Sequence, residues 1–145
     1  MKKLIFTILF IVTSFFANAE TISPKVQQEI ESTMNNSVAC WNKGNLPCFM
    51  DYYVKSDDLL FISGTKFIHG WDNINQRYKE RYGNNSKQMG KLQLKINGMQ
   101  QLDPSHVFLY GQFHLEIESK NYDGVTSLIF VKSAGKWKIM SDHSN

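Results

Sequence analysis

The first regular pattern after residue 22 is a run of apolar side chains spaced three or four positions apart. It comprises Val26, Ile30, Met34, Val38 and Trp41. This period is that of one face of an α-helix. Ser23 is suited to cap the helix N-terminus, Pro24 suits the first helical position, and Gly44 is suited to end the helix. The sequence therefore predicts an amphipathic helix between Ser23 and Gly44.

Three shorter elements are predicted next. A second helix is predicted over residues 46–53, with Phe49, Tyr52 and Tyr53 against the first helix. The runs LLFIS and KFIH, separated by a turn at Gly64, are typical of a β-hairpin. A third helix follows over the sequence GWDNINQRYKERYGNN, in which apolar and aromatic side chains again recur at helical spacing and Gly83 ends the pattern.

From residue 91 the hydrophobic period changes to two, which is typical of β-strands. Four strands are predicted, over residues 91–102, 106–119, 125–133 and 136–143. Turn-forming residues predict the joints at Asp103-Pro104, at Tyr122-Asp123-Gly124 and at Ala134-Gly135. Helices followed by an antiparallel meander predict an α+β fold in which a curved sheet wraps around the helices that cover its apolar face.

Residues 1–19 have the three parts of a secretory signal peptide. Lys2 and Lys3 precede an apolar run over residues 4–16, and Ala17 and Ala19 supply small side chains before a predicted cleavage site at Glu20. The apolar run is shorter than the roughly 20 residues that span a bilayer. We therefore expect a secreted, periplasmic protein with no membrane association after cleavage, and a single domain over residues 20–145.

Charge and cysteine content indicate which partners to expect and which state the two cysteines could have. Loss of Lys2 and Lys3 takes the formal net charge from +3 to +1, and the remaining basic residues are scattered, so no nucleic-acid partner is expected. Cys40 and Cys48 flank a segment with turn-forming residues, so a disulfide between them is one interpretation. The other is that both are reduced and pack as small apolar residues.

The order of these elements, together with several short motifs, resembles the nuclear transport factor 2-like superfamily, and especially its small SnoaL-like bacterial branch. The motifs are Trp41 to Asn45, Ser56 to Asp58, Phe61 to Gly64, Gly70-Trp71, Arg77-Tyr78 with Arg81-Tyr82, Gly111 to Phe113, and Trp137 to His143. The resemblance covers nearly all of the chain after the leader. It implies a cone-shaped (cystatin-like) α+β fold, a homodimer packed through the sheets and a pocket between sheet and helices.

The last strand, KWKIMSDH, supplies one candidate site residue. Strict alternation places Trp137, Ile139, Ser141 and His143 on one face, and the first two favour the interior. His143 would then lie at the mouth of the interior, where it could act as a general acid or base or bind a ligand. The alternative is a structural histidine that holds the last strand in place.

Aromatic and basic residues supply the predicted walls and anchors of the pocket. Trp41, Phe61, Tyr78, Tyr82 and Trp137 are candidates for the walls, with core packing as the alternative role. Arg77 is either a solvated helix residue or, if it turns inward, a fork for a bound carboxylate or carbonyl group.

Two classes of chemistry are not predicted. Resemblance to ketosteroid isomerases would require a tyrosine and two carboxyl groups at positions that carry Ser37, Ser63 and Ser127 here, so that reaction is rejected. The four histidines lie in different elements without metal-ligand spacing, so no metal is predicted, and no cofactor is predicted.

Three functional hypotheses remain. The leading one is a pocket protein that binds a small apolar or aromatic ligand, anchored by His143 or Arg77. The second is a homodimeric interaction or immunity-type module whose interior is filled by its own side chains. The third is a SnoaL-like enzyme, in the lyase, isomerase or hydrolase range, with His143 as general acid or base.

Overall fold

The computed structural model describes residues 22–83 and 85–145. The predicted signal peptide over residues 1–19 and its cleavage site at Glu20 lie outside the described residues. Within the described part of the chain, no helix combines the length and the apolar character needed to cross a bilayer.

Four helices cover one face of the molecule. Their bounds are α1 Pro24–Asn42, α2 Leu46–Met50, α3 Trp71–Tyr82 and α4 Ser86–Met89. The Ser23 side chain accepts a hydrogen bond from the Val26 backbone N–H, which confirms the predicted cap of α1. Asn85 caps α4 in the same way, through the N–H of Gln88. This helix was not predicted, because four residues are too short to show a hydrophobic period.

The second helix is shorter than predicted because its C-terminal part pairs with a strand. Beyond Met50 the backbone leaves the helix and exchanges hydrogen bonds with Ile139, through the carbonyl of Tyr52 and the N–H of Val54. The backbone of residues 52–54 therefore extends the sheet instead of continuing the helix.

Six strands form one curved, unclosed sheet. Their bounds are β1 Leu60–Ser63, β2 Lys66–His69, β3 Lys91–Asp103, β4 His106–Ile117, β5 Lys120–Ser133 and β6 Lys136–Ser144. The strand order is β2-β1-β6-β5-β4-β3, and every pair is antiparallel except β1 with β6. This mixed helix-and-sheet architecture confirms the predicted α+β class.

The predicted joint at Tyr122-Asp123-Gly124 is wrong. The turn between β4 and β5 lies at Glu118 and Ser119, since Ile117 already pairs with Lys120. Glu118 has a φ of 56°, the left-handed conformation that such a short turn requires. Gly124 belongs to β5, where the Phe113 ring and the Asn145 carbonyl oxygen occupy the space that a side chain would need. This glycine allows close approach within a strand and does not form a turn.

Helix α1 is fixed to the sheet by polar contacts at both ends. Near its C-terminus, the Asn42 side chain accepts from the backbone N–H of Leu92 in β3 at 2.7 Å and donates to the Leu92 carbonyl at 3.0 Å. The neighbouring Trp41 indole N–H donates to the Met89 carbonyl of α4 at 2.9 Å. Near its N-terminus, Glu29 accepts from the Trp137 indole N–H at 2.8 Å and from the Lys132 ammonium group at 2.9 Å. The hydrophobic core lies between this helix and the concave face of the sheet. These contacts hold α1 along the sheet while the middle of the interface stays open.

A β-bulge in β6 changes which residues face the interior. Phe130 pairs with Ile139, but Ile129 pairs with Ser141, so Met140 is an extra residue. Trp137 and Ile139 are buried as predicted, but after Met140 the alternation reverses and Asp142 becomes the inward residue. The prediction that Ser141 and His143 share the interior face with Trp137 is therefore wrong.

Candidate functional site

A cavity of about 510 Å³ lies between the helices and the concave face of the sheet. Its size is within the range of about 300–1,000 Å³ that is usual for small-molecule sites. Helix side chains that line it include Met34, Val38, Trp41, Phe49, Arg77, Tyr78, Arg81 and Tyr82. Strand side chains that line it include Phe61, Leu92, Leu94, Phe113, Leu115, Thr126, Leu128, Ile139 and Asp142. The walls are mostly apolar, with a few polar groups.

Aromatic rings pack edge-to-face around the helical side of the cavity. The Trp41 ring centroid is 4.9 Å from both Phe49 and Tyr82, and Tyr78 is 5.7 Å from Phe61. These distances and tilts are those of favourable aromatic pairs. Each of these rings packs against its neighbours, so the cluster forms a continuous aromatic wall on one side of the cavity.

Asp142 places a buried carboxyl group on the cavity wall. The residue is 4% exposed, and both of its oxygens are hydrogen-bonded. The Tyr53 hydroxyl donates to Oδ2 at 2.8 Å, and the Ser144 hydroxyl donates to Oδ1 at 2.6 Å. Burial raises the pKa of Asp142, while the two hydroxyl donors act in the opposite direction.

Two tyrosines complete this inner polar end. Burial also raises the pKa values of Tyr53 and Tyr78, and the negative charge of Asp142 acts in the same direction on both. Both phenols therefore stay protonated as hydrogen-bond donors. A protonated Asp142 can donate a hydrogen bond to a ligand carbonyl, and an ionised one can accept a hydrogen bond from a ligand hydroxyl.

Two guanidinium groups, those of Arg77 and Arg81, form the second polar part of the cavity. Arg77 is half-buried with its guanidinium 5.7 Å from the Phe61 ring centroid, and Arg81 is exposed and 5.3 Å from the Tyr82 ring centroid. Both guanidinium groups act to lower the pKa of Tyr82, and Arg81 also forms a side-chain hydrogen bond with it. Arg77 acts in the same direction on the pKa of Tyr78, so the arginines lie beside these two tyrosines.

Five of the seven predicted ligand-binding residues line this cavity: Trp41, Phe61, Arg77, Tyr78 and Tyr82. Trp137 does not line it, because its indole packs against α1 and donates to Glu29. His143 does not line it either, because the bulge at Met140 turns it to the outer face of the sheet.

The surroundings of His143 are those of an outer-face residue. It belongs to a row of paired residues that crosses the sheet, made up of Phe67, Ile62, His143, Ser127 and Tyr110. Its Nε2 atom is 2.8 Å from the side-chain nitrogen of Asn145. The structure therefore places His143 on the outer face of the sheet and not at the mouth of the cavity.

Sequence reasoning missed Asp142, Tyr53 and Ser144. Tyr53 was placed in the second helix, although it follows that helix and is buried beside β6. Strict alternation assigns Asp142 to the outer face, and Ser144 lies beyond the predicted end of the last strand. The sequence carries no signal for them, because alternation places Asp142 on the same face as Lys136 and Lys138.

Cys40 and Cys48 form a disulfide that joins α1 to α2, with Cα atoms 5.5 Å apart. The bridge immediately precedes Trp41 in the chain and encloses the turn at Gly44. Two aromatic residues that line the cavity are held by this bridge. Trp41 lies inside the loop that the disulfide closes, and Phe49 directly follows the loop.

The positions compared with ketosteroid isomerases are split between the two faces. Ser37 and Ser63 line the cavity, and Ser127 lies on the outer face beside His143. The rejected reaction requires a tyrosine and two carboxyl groups at these positions, whereas the buried carboxyl group of this cavity comes from Asp142. Across the described residues, no cluster of three or more histidine, cysteine or acidic side chains could hold a metal ion.

Solved structures with the same architecture were found by comparison. A protein of unknown function from Shewanella oneidensis, described as NTF-2 like, is 28% identical, with a TM-score of 0.78 over 82% of this chain and 98% of that chain. An NTF2-like protein of unknown function from Pseudomonas putida is 11% identical, with a TM-score of 0.70 over 86% of this chain and 89% of that chain.

A third similar structure is a ketosteroid isomerase-like protein from Erwinia carotovora. It is 16% identical, with a TM-score of 0.63 over 84% of this chain and 96% of that chain. No protein-family model and no curated protein sequence matches this chain.

Proposed function

The chain belongs to the nuclear transport factor 2-like superfamily, and on that premise we propose that it binds a small apolar or aromatic molecule in the cavity. The superfamily scaffold does not fix a chemistry, so the proposal depends on the cavity itself. The observation that carries it is the combination of an unfilled apolar space of about 510 Å³ with a buried carboxyl group on its wall.

The aromatic wall would supply most of the binding free energy, since burying an apolar surface contributes about 25 cal/mol per Å². The polar groups would set orientation. A ligand hydroxyl or carbonyl near Asp142 can exchange a hydrogen bond with its carboxyl group, and the Tyr53 and Tyr78 hydroxyls lie in the same part of the cavity. This arrangement moves the proposed anchor from His143 to Asp142.

A cavity-filling substitution tests the proposal. Val38 is half-buried and lines the cavity, whereas Val26 is half-buried on the same helix and packs on the core outside the cavity. We expect the neutral fluorophore N-phenylnaphthylamine to bind the wild type with 1:1 saturation, and Val38→Phe to weaken this binding while Val26→Phe does not. Absence of saturable binding, or equal loss in both variants, would contradict the proposal.

An acid–base enzyme is a second candidate, favoured by the raised pKa of Asp142 inside an apolar cavity. In this case Asp142, and not His143, would transfer the proton. The mark of such an enzyme is an essential group in the pH–rate profile that titrates above the usual range of an aspartate. This titration should disappear in Asp142→Asn.

We also infer a homodimer packed through the outer face of the sheet. Phe67 is 68% exposed, and Tyr110 is 48% exposed at the other end of the same cross-strand row. Val125, next to this row on β5, is 59% exposed. A second copy would cover these side chains. Light scattering should give twice the monomer mass for the wild type. For Tyr110→Lys it should give the mass of a single monomer.

Location outside the cytoplasm, in the periplasm, remains part of the proposal. It is supported by the leader pattern over residues 1–19 and by the Cys40–Cys48 bridge, which an oxidising compartment favours. The mass of protein purified from a periplasmic extract tests it, since cleavage before Glu20 predicts a chain that begins at that residue.

A further inference from the structure

The positive charges of Arg77 and Arg81, which line the cavity, are not neutralised by ion pairs with other described residues of the protein. Within residues 22–83 and 85–145, neither Arg77 nor Arg81 forms an ion pair. They lie one helical turn apart on α3, so their side chains extend from the same face of the helix. Both line the cavity, and both guanidinium groups lie near aromatic rings.

The two carboxyl side chains that line the same cavity are already engaged by other residues. Asp123 lines the same cavity, but its Oδ1 atom is 2.7 Å from Nδ1 of His114, and its side chain is 75% exposed. The remaining cavity carboxyl, Asp142, is bound by Tyr53 and Ser144. Arg81 shares a side-chain hydrogen bond with Tyr82. Because neither guanidinium group is held in an ion pair within the described residues, the remaining N–H donors can reach a bound molecule.

We propose that the cavity takes a carboxylic acid, with its apolar body against the aromatic wall and its carboxylate between Arg77 and Arg81. The inference rests on the proposed binding function and specifies the class of ligand. Two guanidinium groups present planar forks of N–H donors, which match the oxygens of a carboxylate. The solvent-facing position of Arg81 lets the empty site keep its hydration, so the unpaired charges are tolerated without a ligand.

The charge at this end favours a monoanion. Apart from the buried Asp142, the charged side chains that line the cavity are Arg77, Arg81 and Asp123, and their formal charges sum to +1. No lysine or further arginine lines the described cavity. A single carboxylate would neutralise this end, whereas a dianionic phosphate would leave an excess negative charge next to Asp123. The carboxylate of a small apolar acid is therefore the best match.

The test compares two ligands that differ only in charge at the head group. The probes are naphthylacetate and naphthylacetamide, and dissociation constants are measured by calorimetry at neutral pH. We expect the wild type to bind the carboxylate roughly tenfold or more tightly than the amide, as one charge-assisted hydrogen bond would give. Added salt should weaken carboxylate binding more than amide binding.

Variants assign the preference to the two arginines. Arg77→Gln/Arg81→Gln should abolish the preference, so that the carboxylate and the amide bind the variant with equal dissociation constants. Lys79→Gln removes an exposed charge from the same helix outside the cavity and should have no effect. The single variant Arg81→Gln, at an exposed position, covers the case in which the double variant unfolds, and it should lose part of the preference.

The outcomes separate this inference from the proposed function. If both probes bind equally to the wild type, or if the preference survives in the arginine variants, the carboxylate inference is overturned while the apolar pocket stands. If neither probe binds, the proposed function fails, and the inference fails with it.

Discussion

The Tyr53 hydroxyl donates a 2.8 Å hydrogen bond to Oδ2 of Asp142, and both residues are buried. The contact joins the segment after α2 to the end of β6, across 89 positions of the chain. A buried carboxyl needs such donors, because an unsatisfied polar group in an apolar interior is costly. The pair therefore stabilises the inner polar end of the cavity and presents a carboxyl group to the cavity.

Removal of the tyrosine hydroxyl should destabilise the fold. Tyr53→Phe leaves one oxygen of Asp142 without its donor, so we expect the free energy of unfolding to fall by about 1–3 kcal/mol. It should also raise the pKa of Asp142 further, because the Tyr53 hydrogen bond lowers that pKa. Urea unfolding measures the first effect and carboxyl NMR the second.

Tyr52→Phe is the matched control, since Tyr52 is the half-buried neighbour in sequence and its hydroxyl makes no contact with Asp142. Equal destabilisation by the two variants would show that the hydroxyl of Tyr53 contributes nothing specific to Asp142.

The raised pKa of Asp142 predicts how stability depends on pH. Burial raises it above the ordinary value of 3.8, so the folded protein holds this proton to a higher pH than the unfolded chain does. The contribution of Asp142 to stability is then lost as the pH rises from about 3.8 through the raised folded pKa.

Asp142→Asn keeps the shape of the side chain and removes this titration. The free energy of unfolding of the variant, minus that of the wild type, should increase with pH across this window and then stay constant. Urea unfolding at a series of pH values gives the difference curve. Asp57→Asn, at an exposed carboxyl, is the control. Parallel curves for the wild type and Asp142→Asn would refute the assignment.

His143 should have no effect on ligand binding. It faces away from the cavity, in the row between Ile62 and Ser127 on the outer face. His143→Ala should leave the dissociation constant of N-phenylnaphthylamine unchanged. Leu128→Ala, which shortens a lining side chain and enlarges the cavity, should alter it. Fluorescence titration measures both. Weaker binding in His143→Ala at unchanged thermal stability would restore a role for this residue.

The elements were predictable because their signals are local. Ser23, Pro24 and Gly44 mark the ends of α1, and alternation marks β3 to β6. The helical period also brought Trp41, Tyr78 and Tyr82 to the interior, where they line the cavity. For these residues, the side of the element on which they lie follows from spacing alone.

The buried carboxyl was not predictable because it depends on the partner strand. A bulge is defined by two residues opposing one across a pair of strands, and the sequence KWKIMSDH contains no glycine that would signal it at Met140. Without the bulge, alternation assigns Asp142 to the outer face and His143 to the interior. One inserted residue therefore exchanged the predicted histidine site for an aspartate site.

The position of Gly124 was also not predictable from its neighbours in sequence. Its neighbours in sequence, Tyr122 and Asp123, favour a turn, whereas its neighbours in space are the Phe113 ring and the Asn145 carbonyl. The local signal for a turn and the tertiary requirement for close packing both select glycine. Only the contact distinguishes them.

The turn between β3 and β4 should contribute stability that is lost in strong acid. The Ser105 backbone N–H and hydroxyl, followed by His106, lower the pKa of Asp103 to about 2. Because this pKa is lower in the folded state, the stabilisation is present above 3.8 and is lost as the pH falls through about 2.

Asp103→Asn should therefore show a smaller loss of stability than the wild type between these two pH values. Thermal melts at a series of acid pH values measure it. Ser105→Ala, which removes one of the two serine donors, should give an intermediate profile. An unchanged acid profile in Asp103→Asn would contradict the role of this turn.

Reduction of the Cys40–Cys48 bridge should destabilise the fold and weaken ligand binding together. The closed segment is short, with a sequence separation of 8, and constraint of a loop of this length contributes about 2.5 kcal/mol by the chain-entropy relation. The five-residue helix α2 carries Phe49, and its attachment to α1 positions this ring against Trp41. A phosphine reductant should therefore lower both the melting temperature and the affinity for N-phenylnaphthylamine.

In Cys40→Ala/Cys48→Ala both values should already be lowered, and the reductant should change neither. A reductant effect that persists in this variant would show that the bridge is not its target.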